Sequence, residues 1–353
     1  IGLFCLLFVA SSVVPGWAQK DNRFEVSKNL DIFNSLLKEV EMFYVDSVDV
    51  DKTVQRGIEA MLAGLDPYTE YYPEQKTEEL SLMTTGEYGG IGSLIRQRNN
   101  EGGVMIAEPT EGMPADLAGL KPGDLILAID TIDVSKATNS RVSELLKGVP
   151  NTKMVLTIQR PGEKKPRKFE ITRKQITTPQ VTYYGVKNDS IGYIYLKAFT
   201  IKSAQEVKEA FLDLKKNHNI KSLVLDLRGN GGGVLEGAVQ IVGMFVPKGS
   251  EVLSTKGKIK QWDRTYRTST EPLDTVMPLA ILINGGTASA AEIVSGSLQD
   301  MDRAVLVGQR SFGKGLVQAP RDLPYNGKVK ITMSKYYIPS GRCIQQIDYS
   351  HRK

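Results

Sequence analysis

Two glycine-rich segments carry a serine and a lysine whose surroundings suit nucleophilic catalysis. Ser289 follows Gly-Gly-Thr-Ala at a predicted strand-to-helix turn. There the amide of Ala290 would lack a helical partner, and the helix dipole would favour negative charge. Lys314 stands between two glycines, beside apolar Phe312 and Leu316. Burial in such surroundings lowers the pKa of a lysine, because desolvation disfavours the charged form. A neutral Lys314 could then remove the proton of Ser289 as a general base.

Histidine is scarce in this chain. The 353 residues include only His218 and His351, one in a polar stretch at a predicted helix end and one near the last residue. We expect both side chains to be solvated, which disfavours a Ser-His-Asp triad. A zinc site needs three or four His, Cys or carboxylate ligands and is disfavoured as well. We therefore expect neither a metal nor a cofactor.

The serine and the lysine each have a simpler interpretation. Ser289 could only cap the helix, with Glu292 three residues later completing a capping box. Lys314 could be a surface lysine, or it could bind phosphate, because Gly308 to Lys314 has the Gly-x-x-x-x-Gly-Lys spacing of a P-loop. Gly315 replaces the hydroxyl residue that should follow that lysine, and no helix start follows. Phosphate binding is therefore disfavoured.

Two further features could complete a site around the pair. Gln318 lies four residues after Lys314, so in a strand both side chains would point the same way and the Gln318 amide could orient the amine. The run from Asp226 to Gly233, Asp-Leu-Arg-Gly-Asn-Gly-Gly-Gly, ends a predicted buried strand, where such sheets bind ligands. Its glycine amides could form an oxyanion hole or only a tight turn. Arg228 could bind a carboxylate, but bracing Asp226 or the loop is the favoured role.

The elements that must position these residues alternate between strand and helix after residue 180. Apolar runs predict buried strands at Ile191–Leu196, Ser222–Leu227, Leu279–Ile283 and Ala304–Val307, with helices at 203–217, 235–246 and 288–298 between them. This alternation predicts a central sheet covered by helices. With the segments before it, the chain is predicted to be a multidomain protein of mixed α+β and α/β class.

The start of the chain differs from the rest. Residues 1–18 are apolar and end in Gly-Trp-Ala, which is typical of a cleaved signal peptide, with an uncleaved anchor helix as the alternative. The first residue is not Met, so we expect the chain to be clipped at this end. Cys5 falls within the segment, so its removal would leave Cys343 without an intramolecular disulfide partner. Apolar residues at helical spacing predict a helical region over 22–84.

Residues 85–174 have an organisation of their own. Gly89-Gly-Ile-Gly92 opens a predicted strand, Pro114 to Asp124 gives a short helix and a turn, and a helix follows Ser135. This order resembles a PDZ domain. The resemblance implies that the loop at Gly90, Ile91 and Gly92 holds the terminal carboxylate of a peptide on its backbone amides. The peptide would then add as a strand beside that loop.

Three ordered segments, Asp226–Gly233, Asn284–Ile293 and Ser311–Gln318, resemble those of the carboxyl-terminal processing peptidases, also called tail-specific proteases. The resemblance implies Ser289 as nucleophile, Lys314 as base and Gln318 as the residue that orients it. It also implies an oxyanion hole made by the Ala290 amide with Gly232 or Gly233.

The same resemblance bears on the whole chain. It implies a Ser-Lys peptidase domain with a ClpP/crotonase-like core over 175–353, and a PDZ domain that receives substrate C-termini and gates the site. The family usually continues past the Tyr337-Ile-Pro-Ser-Gly-Arg342 segment, so we expect the chain to be clipped at its C-terminus too.

The predicted function is that of an exported serine endopeptidase of the bacterial periplasm or cell envelope, cleaving exported proteins at or near their C-termini. The expected partners are proteins or peptides with accessible C-terminal tails; self-association and membrane or envelope association stay open. The net charge of +5 is dispersed along the chain, so nucleic-acid binding is not expected. Two alternatives are an inactive PDZ-containing binding protein on a protease-like scaffold and an acyl-CoA-type hydratase, whose thioester oxyanion would also suit sheet-end glycine amides.

Overall fold

The computed structural model of the chain describes residues 23–98 and 102–351. The predicted signal peptide and Cys5 lie outside these residues. The chain divides into two compact units, with the division after Met61. None of the helices in the described ranges is long and apolar enough to cross a membrane.

The N-terminal region is helical, as its apolar spacing predicts. Helix α1 spans Arg23–Phe43 and α2 spans Val50–Ala63. The carboxylate of Asp49 accepts a hydrogen bond from the Lys52 amide at 3.1 Å and so caps the start of α2. No residue of α1 is buried, and most of its apolar side chains are exposed to solvent, whereas Leu37 and Val40 are half-buried.

The PDZ-like region forms an antiparallel sheet with its own core. The elements from the end of α2 onward are β1 Glu70–Tyr72, α3 Thr77–Thr85, β2 Glu87–Gly90, β3 Ser93–Gln97, β4 Val104–Pro109, α4 Pro114–Leu117, β5 Leu125–Ile129, β6 Ile132–Asp133, α5 Asn139–Leu146, β7 Lys153–Gln159, β8 Arg167–Thr172 and β9 Lys174–Thr177. The strand order of this sheet is β3-β4-β5-β7-β8, with β6 beside β5 and a separate β2–β9 pair. Val104, Ile126 and Leu156 are fully buried in its core.

The second core belongs to the predicted strand–helix region. The elements of this region are β10 Val181–Lys187, β11 Ile191–Leu196, α6 Ser203–Asn217, β12 Ser222–Asp226, α7 Leu235–Gly243, β13 Glu251–Gly257, β14 Arg264–Arg267, β15 Leu279–Ile283, α8 Ala290–Asp300, β16 Val305–Gly308, β17 Leu316–Asp322 and β18 Lys328–Tyr337. The sheet has the order β10-β11-β12-β15-β16, in which β11, β12, β15 and β16 run parallel and β10 is antiparallel to β11. Phe211 and Phe245 pack edge to face among its helices.

An antiparallel sheet that the sequence analysis did not predict lies alongside. Its order is β1-β18-β13-β14, and β17 pairs with β18. The register of the β17–β18 pair shifts between Val317 and Gln318, as at a β-bulge. This sheet joins the turn after α2, through β1, to the strand that carries Gln318.

Three neighbouring parallel strands bring the motif loops together. Strands β12, β15 and β16 are adjacent in the sheet, so their carboxyl ends lie at one edge. The glycine run follows β12, the Asn284–Ser289 turn follows β15, and the loop to Lys314 follows β16. Ligands of such sheets bind at this edge.

The boundaries predicted for the separate domains stay predictions.

Candidate active site

Ser289 lies at the turn between β15 and the first residue of α8. Its φ of 54° and ψ of −117° are unusual for a residue with a side chain and are typical of a strained turn. The glycine run Asp226–Gly233 holds this turn in place, because the Ala288 amide donates a hydrogen bond to the Asn230 carbonyl at 2.9 Å. The helix-cap interpretation holds in part, since the Ser289 amide donates to the Glu292 carboxylate at 2.8 Å.

Glu292 does more than cap the helix. Its carboxylate is buried and also accepts hydrogen bonds from the amides of Gly313 at 2.6 Å and Lys314 at 2.9 Å, and from the Ser311 hydroxyl at 2.7 Å. The same side chain therefore fixes the backbone of both the predicted nucleophile and the predicted base. The backbone bond from Phe312 to the Thr287 carbonyl, 2.9 Å long, adds a second tie between the two segments.

The Lys314 side chain is half-buried. Burial lowers the pKa of its ammonium, and the nearby charge of Lys330 lowers it further, while Glu70, Asp66 and Glu292 act in the opposite direction. Its Nζ lies 4.3 Å from the centroid of the Tyr68 ring. Among the described residues, no hydrogen bond joins the Ser289 hydroxyl to the Lys314 ammonium.

Tyr336 links the backbones of Ser289 and Lys314. Its side chain is fully buried, and its hydroxyl lies 3.2 Å from the Ser289 carbonyl oxygen and 2.9 Å from that of Lys314. Burial raises the pKa of this phenol, so it stays protonated and donates. Tyr336 was not among the predicted site residues, because the sequence pattern over 328–337 did not indicate a strand.

The glycine run packs directly against the serine turn. A side chain on Gly232 would bring its Cβ within 2.8 Å of the Ala290 nitrogen and of the Ser289 Cβ. The Gly232 amide already donates to the Asn230 side chain at 2.9 Å. Within the described ranges, the amides of Gly233 and Ala290 make no hydrogen bond. These two amides are therefore available for a ligand.

Arg228 has the bracing role that the sequence analysis favoured. Its guanidinium bonds both carboxylate oxygens of Asp226, and the Tyr193 hydroxyl donates to the same carboxylate at 2.6 Å. This Arg228–Asp226 ion pair braces the backbone at the carboxyl end of β12. His218 lies at the end of α6, with its ring 3.8 Å from Asp213.

Gln318 lies on β17, but Lys314 precedes that strand, so simple alternation does not relate the two side chains. The Gln318 amide donates to the Thr332 hydroxyl at 3.1 Å. In the part of the chain that is described, it makes no hydrogen bond to Lys314. No helix begins after Lys314 either, because β17 starts at Leu316, which removes the structural basis for a P-loop.

The Gln318–Thr332 hydrogen bond continues into a series of hydrogen bonds that ends at Asp66 and that was not predicted from the sequence. The Thr332 amide donates to the Thr69 hydroxyl oxygen at 3.1 Å, and the Thr69 hydroxyl donates to Asp66 at 2.9 Å. The only sequence signal for this turn was Leu65-Asp-Pro-Tyr68, which marks a helix end. Nothing in that motif reveals contact with a strand more than 260 residues away.

The predicted carboxylate loop lies between β2 and β3. Ile91 is buried in the core of its sheet, and Gly92 has a φ of +66°. Their carbonyl groups accept hydrogen bonds from Ala115 and Thr110, at 2.8 and 2.9 Å. Their amides donate no hydrogen bond within the described residues. Gly90 ends β2 opposite Lys174.

The chain resembles known proteins over most of its length. A model described as Peptidase family S41 matches residues 190–350, and a PDZ domain model matches residues 105–160. A carboxy-terminal-processing protease of Bartonella bacilliformis is 36% identical over 345 residues, covering 97% of this chain and 77% of that relative. A probable CtpA-like serine protease of Staphylococcus aureus is 33% identical, covering 90% of this chain and 62% of that relative. Among solved structures, the photosystem II D1 C-terminal processing protease is 29% identical with a TM-score of 0.50, covering 91% of each chain.

Proposed function

The chain belongs to peptidase family S41, the family of the carboxy-terminal-processing serine proteases, and from this premise we propose that Ser289 and Lys314 are its catalytic dyad. The family matches confirm the predicted fold class, a multidomain chain with a PDZ domain and a protease domain of mixed helix and sheet. The observation that carries the dyad is the Glu292 carboxylate, which accepts hydrogen bonds from the amides of both residues.

The proposed reaction begins with a proton transfer. Neutral Lys314 removes the proton of the Ser289 hydroxyl, and the serine oxygen attacks the carbonyl carbon of the substrate. The lowered pKa of Lys314 supports this role, because it increases the fraction of neutral amine near neutral pH. The resulting Lys314 ammonium gives the proton to the leaving amine, and water hydrolyses the acyl-enzyme to restore Ser289.

The oxyanion of the tetrahedral intermediate would be held by the amides of Ala290 and Gly233. Both amides lack a partner among the described residues, whereas the Gly232 amide is occupied by Asn230. Gly232 instead gives the close backbone approach that a side chain would block. Gln318 is proposed to orient Lys314 in the working enzyme, through a movement from its present partner Thr332.

The PDZ domain is proposed to bind the C-terminus of the substrate. The amides of Ile91 and Gly92, which donate no hydrogen bond among the described residues, would receive the carboxylate. Gly90 belongs to the same loop, and a side chain there would clash with the Tyr88 ring. Strand β3 has β4 as its one strand partner in the described ranges, so its other edge can accept a peptide strand beside α5.

The segment of residues 199–202 contacts both the PDZ region and the glycine run. It therefore supports the proposal that the PDZ domain gates the site. Glu87 of β2 forms an ion pair with Lys202, and the Ile201 amide donates to the Thr84 carbonyl at 3.0 Å. At the other end of this segment, the Phe199 amide donates to the Gly232 carbonyl at 2.9 Å. A movement of the predicted carboxylate loop between β2 and β3 would therefore be transmitted through this segment to the glycine run.

The substrates are proposed to be exported bacterial proteins with accessible C-terminal tails, processed in the periplasm or cell envelope. The apolar segment 1–18 and the bacterial relatives support this placement. The inactive binding protein is the second candidate, but no observation favours it.

The test uses a quenched-fluorescence peptide with an unstructured apolar tail and a free C-terminal carboxylate. Ser289→Ala and Lys314→Ala should each abolish turnover, whereas Ser295→Ala on the same helix and Lys335→Ala on β18 should retain it. An amidated tail should be cleaved more slowly. Normal turnover by either dyad variant would refute the dyad, and binding without cleavage by the wild-type chain would favour the inactive alternative.

A further inference from the structure

The Tyr68 ring lies against the ammonium group of the proposed base. Lys314 Nζ is 4.3 Å from the ring centroid, well inside the distance of about 6 Å at which a cation is attracted to an aromatic face. Tyr68 follows α2 and comes before β1, in a turn to which the sequence motifs gave no chemical role.

The ring is held in place before any substrate arrives. One carboxylate oxygen of Asp66 accepts the amides of Tyr68 and Thr69, each at 2.8 Å. Thr69 is joined in turn to Thr332 on β18. The Tyr68 ring also packs edge to face on Tyr349, with centroids 5.9 Å apart. The aromatic face is therefore presented to Lys314 by a fixed turn.

An aromatic face distinguishes the two forms of a lysine. It attracts the ammonium through the ring quadrupole but gives no comparable attraction to the neutral amine. Besides burial, the charged groups that act on Lys314 are Lys330 from β18, Asp66 from the turn, Glu70 from β1 and Glu292 from α8. Burial raises the pKa of the Tyr68 phenol well above its ordinary range, so this residue stays neutral and does not compete as a base.

Resting on the proposed role of Lys314 as the base, we propose that Tyr68 is a positioning residue whose ring holds the protonated ammonium away from the Ser289 hydroxyl. Two observations carry this: the 4.3 Å stacking distance and the absence, among the described residues, of a hydrogen bond between the dyad side chains. Lys314 leaves the ring when it loses its proton, and it then turns toward Ser289. The ring contact is a resting position that the enzyme gives up in each turnover.

The experiment follows the ionisation of Lys314 directly. In the full chain with Ser289→Ala, which prevents turnover, ¹³C-labelled lysine reports the Lys314 titration by NMR, with the signal assigned by its loss in Lys314→Gln. Tyr68→Phe keeps the ring and should keep the midpoint. Tyr68→Leu keeps apolar bulk but removes the ring, so the midpoint should fall by roughly 0.4 to 1.5 pH units. Tyr71→Leu is the matched control and should leave the midpoint unchanged.

A second readout does not depend on the leucine variant folding. In the Ser289→Ala chain, the Hε protons of protonated Lys314 should show an upfield ring-current shift that is reduced once the amine is neutral, and Tyr68→Phe should retain it. An unchanged midpoint in folded Tyr68→Leu, or no ring-current shift at low pH, would overturn the inference. These results are independent of turnover, so a failure of the dyad proposal would appear separately, as activity retained by Lys314→Ala.

Discussion

The Glu292 carboxylate accepts a hydrogen bond from the Lys314 amide at 2.9 Å, although 22 residues separate the two in the chain. The same oxygen accepts the Ser289 amide at 2.8 Å. One buried side chain therefore sets the distance between the backbones of the proposed nucleophile and base. This arrangement explains why a residue that is typical of a helix cap is placed at the centre of the site.

Glu292→Gln should impair both stability and catalysis. Four donors now share the two carboxylate oxygens of Glu292. A glutamine amide would offer them only one acceptor oxygen, and its NH₂ group would face backbone amides that also donate. We expect a loss of about 1 to 3 kcal/mol in the free energy of unfolding, and a fall in kcat of about a hundredfold from misplaced catalytic groups. Urea unfolding and peptide turnover measure the two effects. Glu236→Gln, an exposed glutamate in the first turn of α7, is the matched control; equal behaviour of the two variants would contradict the role of Glu292.

Gly232→Ala should abolish activity while Gly231→Ala should be tolerated. At Gly232, φ is +93° and a Cβ would lie within 2.8 Å of the Ala290 nitrogen, so the serine turn would have to move. At the neighbouring Gly231, no atom lies within 4 Å of the added Cβ. The comparison of kcat/KM and of thermal midpoints for the two variants tests whether the close approach matters. An active Gly232→Ala enzyme would show that it does not.

Ser289→Gly should be more stable than Ser289→Ala by about 1 kcal/mol, although both should be inactive. The backbone at this position, with φ 54° and ψ −117°, is strained for any residue with a Cβ and relaxed for glycine. Removing the strain outweighs the extra freedom that glycine gives the unfolded chain. Chemical denaturation of the two inactive variants measures the difference. If the alanine variant were as stable as the glycine variant, the turn would not be storing strain.

Lys314→Met should stabilise the protein at neutral pH while abolishing turnover. The folded state lowers the pKa of Lys314, so the unfolded chain binds more protons between the lowered value and the ordinary value of about 10.4. Wild-type stability therefore rises with pH across that window, because the cost of the buried ammonium disappears. The advantage of the methionine variant should be largest below the window and lost above it. Unfolding free energies at several pH values check this, with exposed Lys335→Met as a control that shows no such pH-dependent gain.

Much of the α/β region follows from local sequence patterns. Ile191–Leu196, Ser203–Asn217 and Leu279–Ile283 form the predicted elements at the predicted residues. These segments are long apolar runs or strongly periodic helices, so their structure depends mainly on which face they must bury. The sequence also indicated that Asp226–Gly233, Ser289 and Lys314 each follow a predicted strand or lie close after one. Their meeting at one edge depends on β12, β15 and β16 being parallel neighbours, which is a finding of the structure.

The antiparallel sheet was not predictable in the same way. Strand β18 mixes three lysines, one threonine and two tyrosines with apolar residues without clean alternation, and most of it is only half-buried. Its partners β1 and β13 come from distant parts of the chain. Such a strand is stabilised by its neighbours rather than by its own pattern. The sequence therefore could not place Tyr336, Thr332 and Lys330 near the proposed dyad.

The sequence by itself determined the residue types of the site and their order, because glycine turns, a helix-start serine and a flanked lysine are local features. Only the tertiary structure decided how these residues are held at rest. It placed Glu292 between the segments of the proposed nucleophile and base, and it stacked the Lys314 ammonium on Tyr68. The physical reason is that a buried carboxylate and an aromatic face act through space, over distances that do not depend on the separation of the residues along the chain.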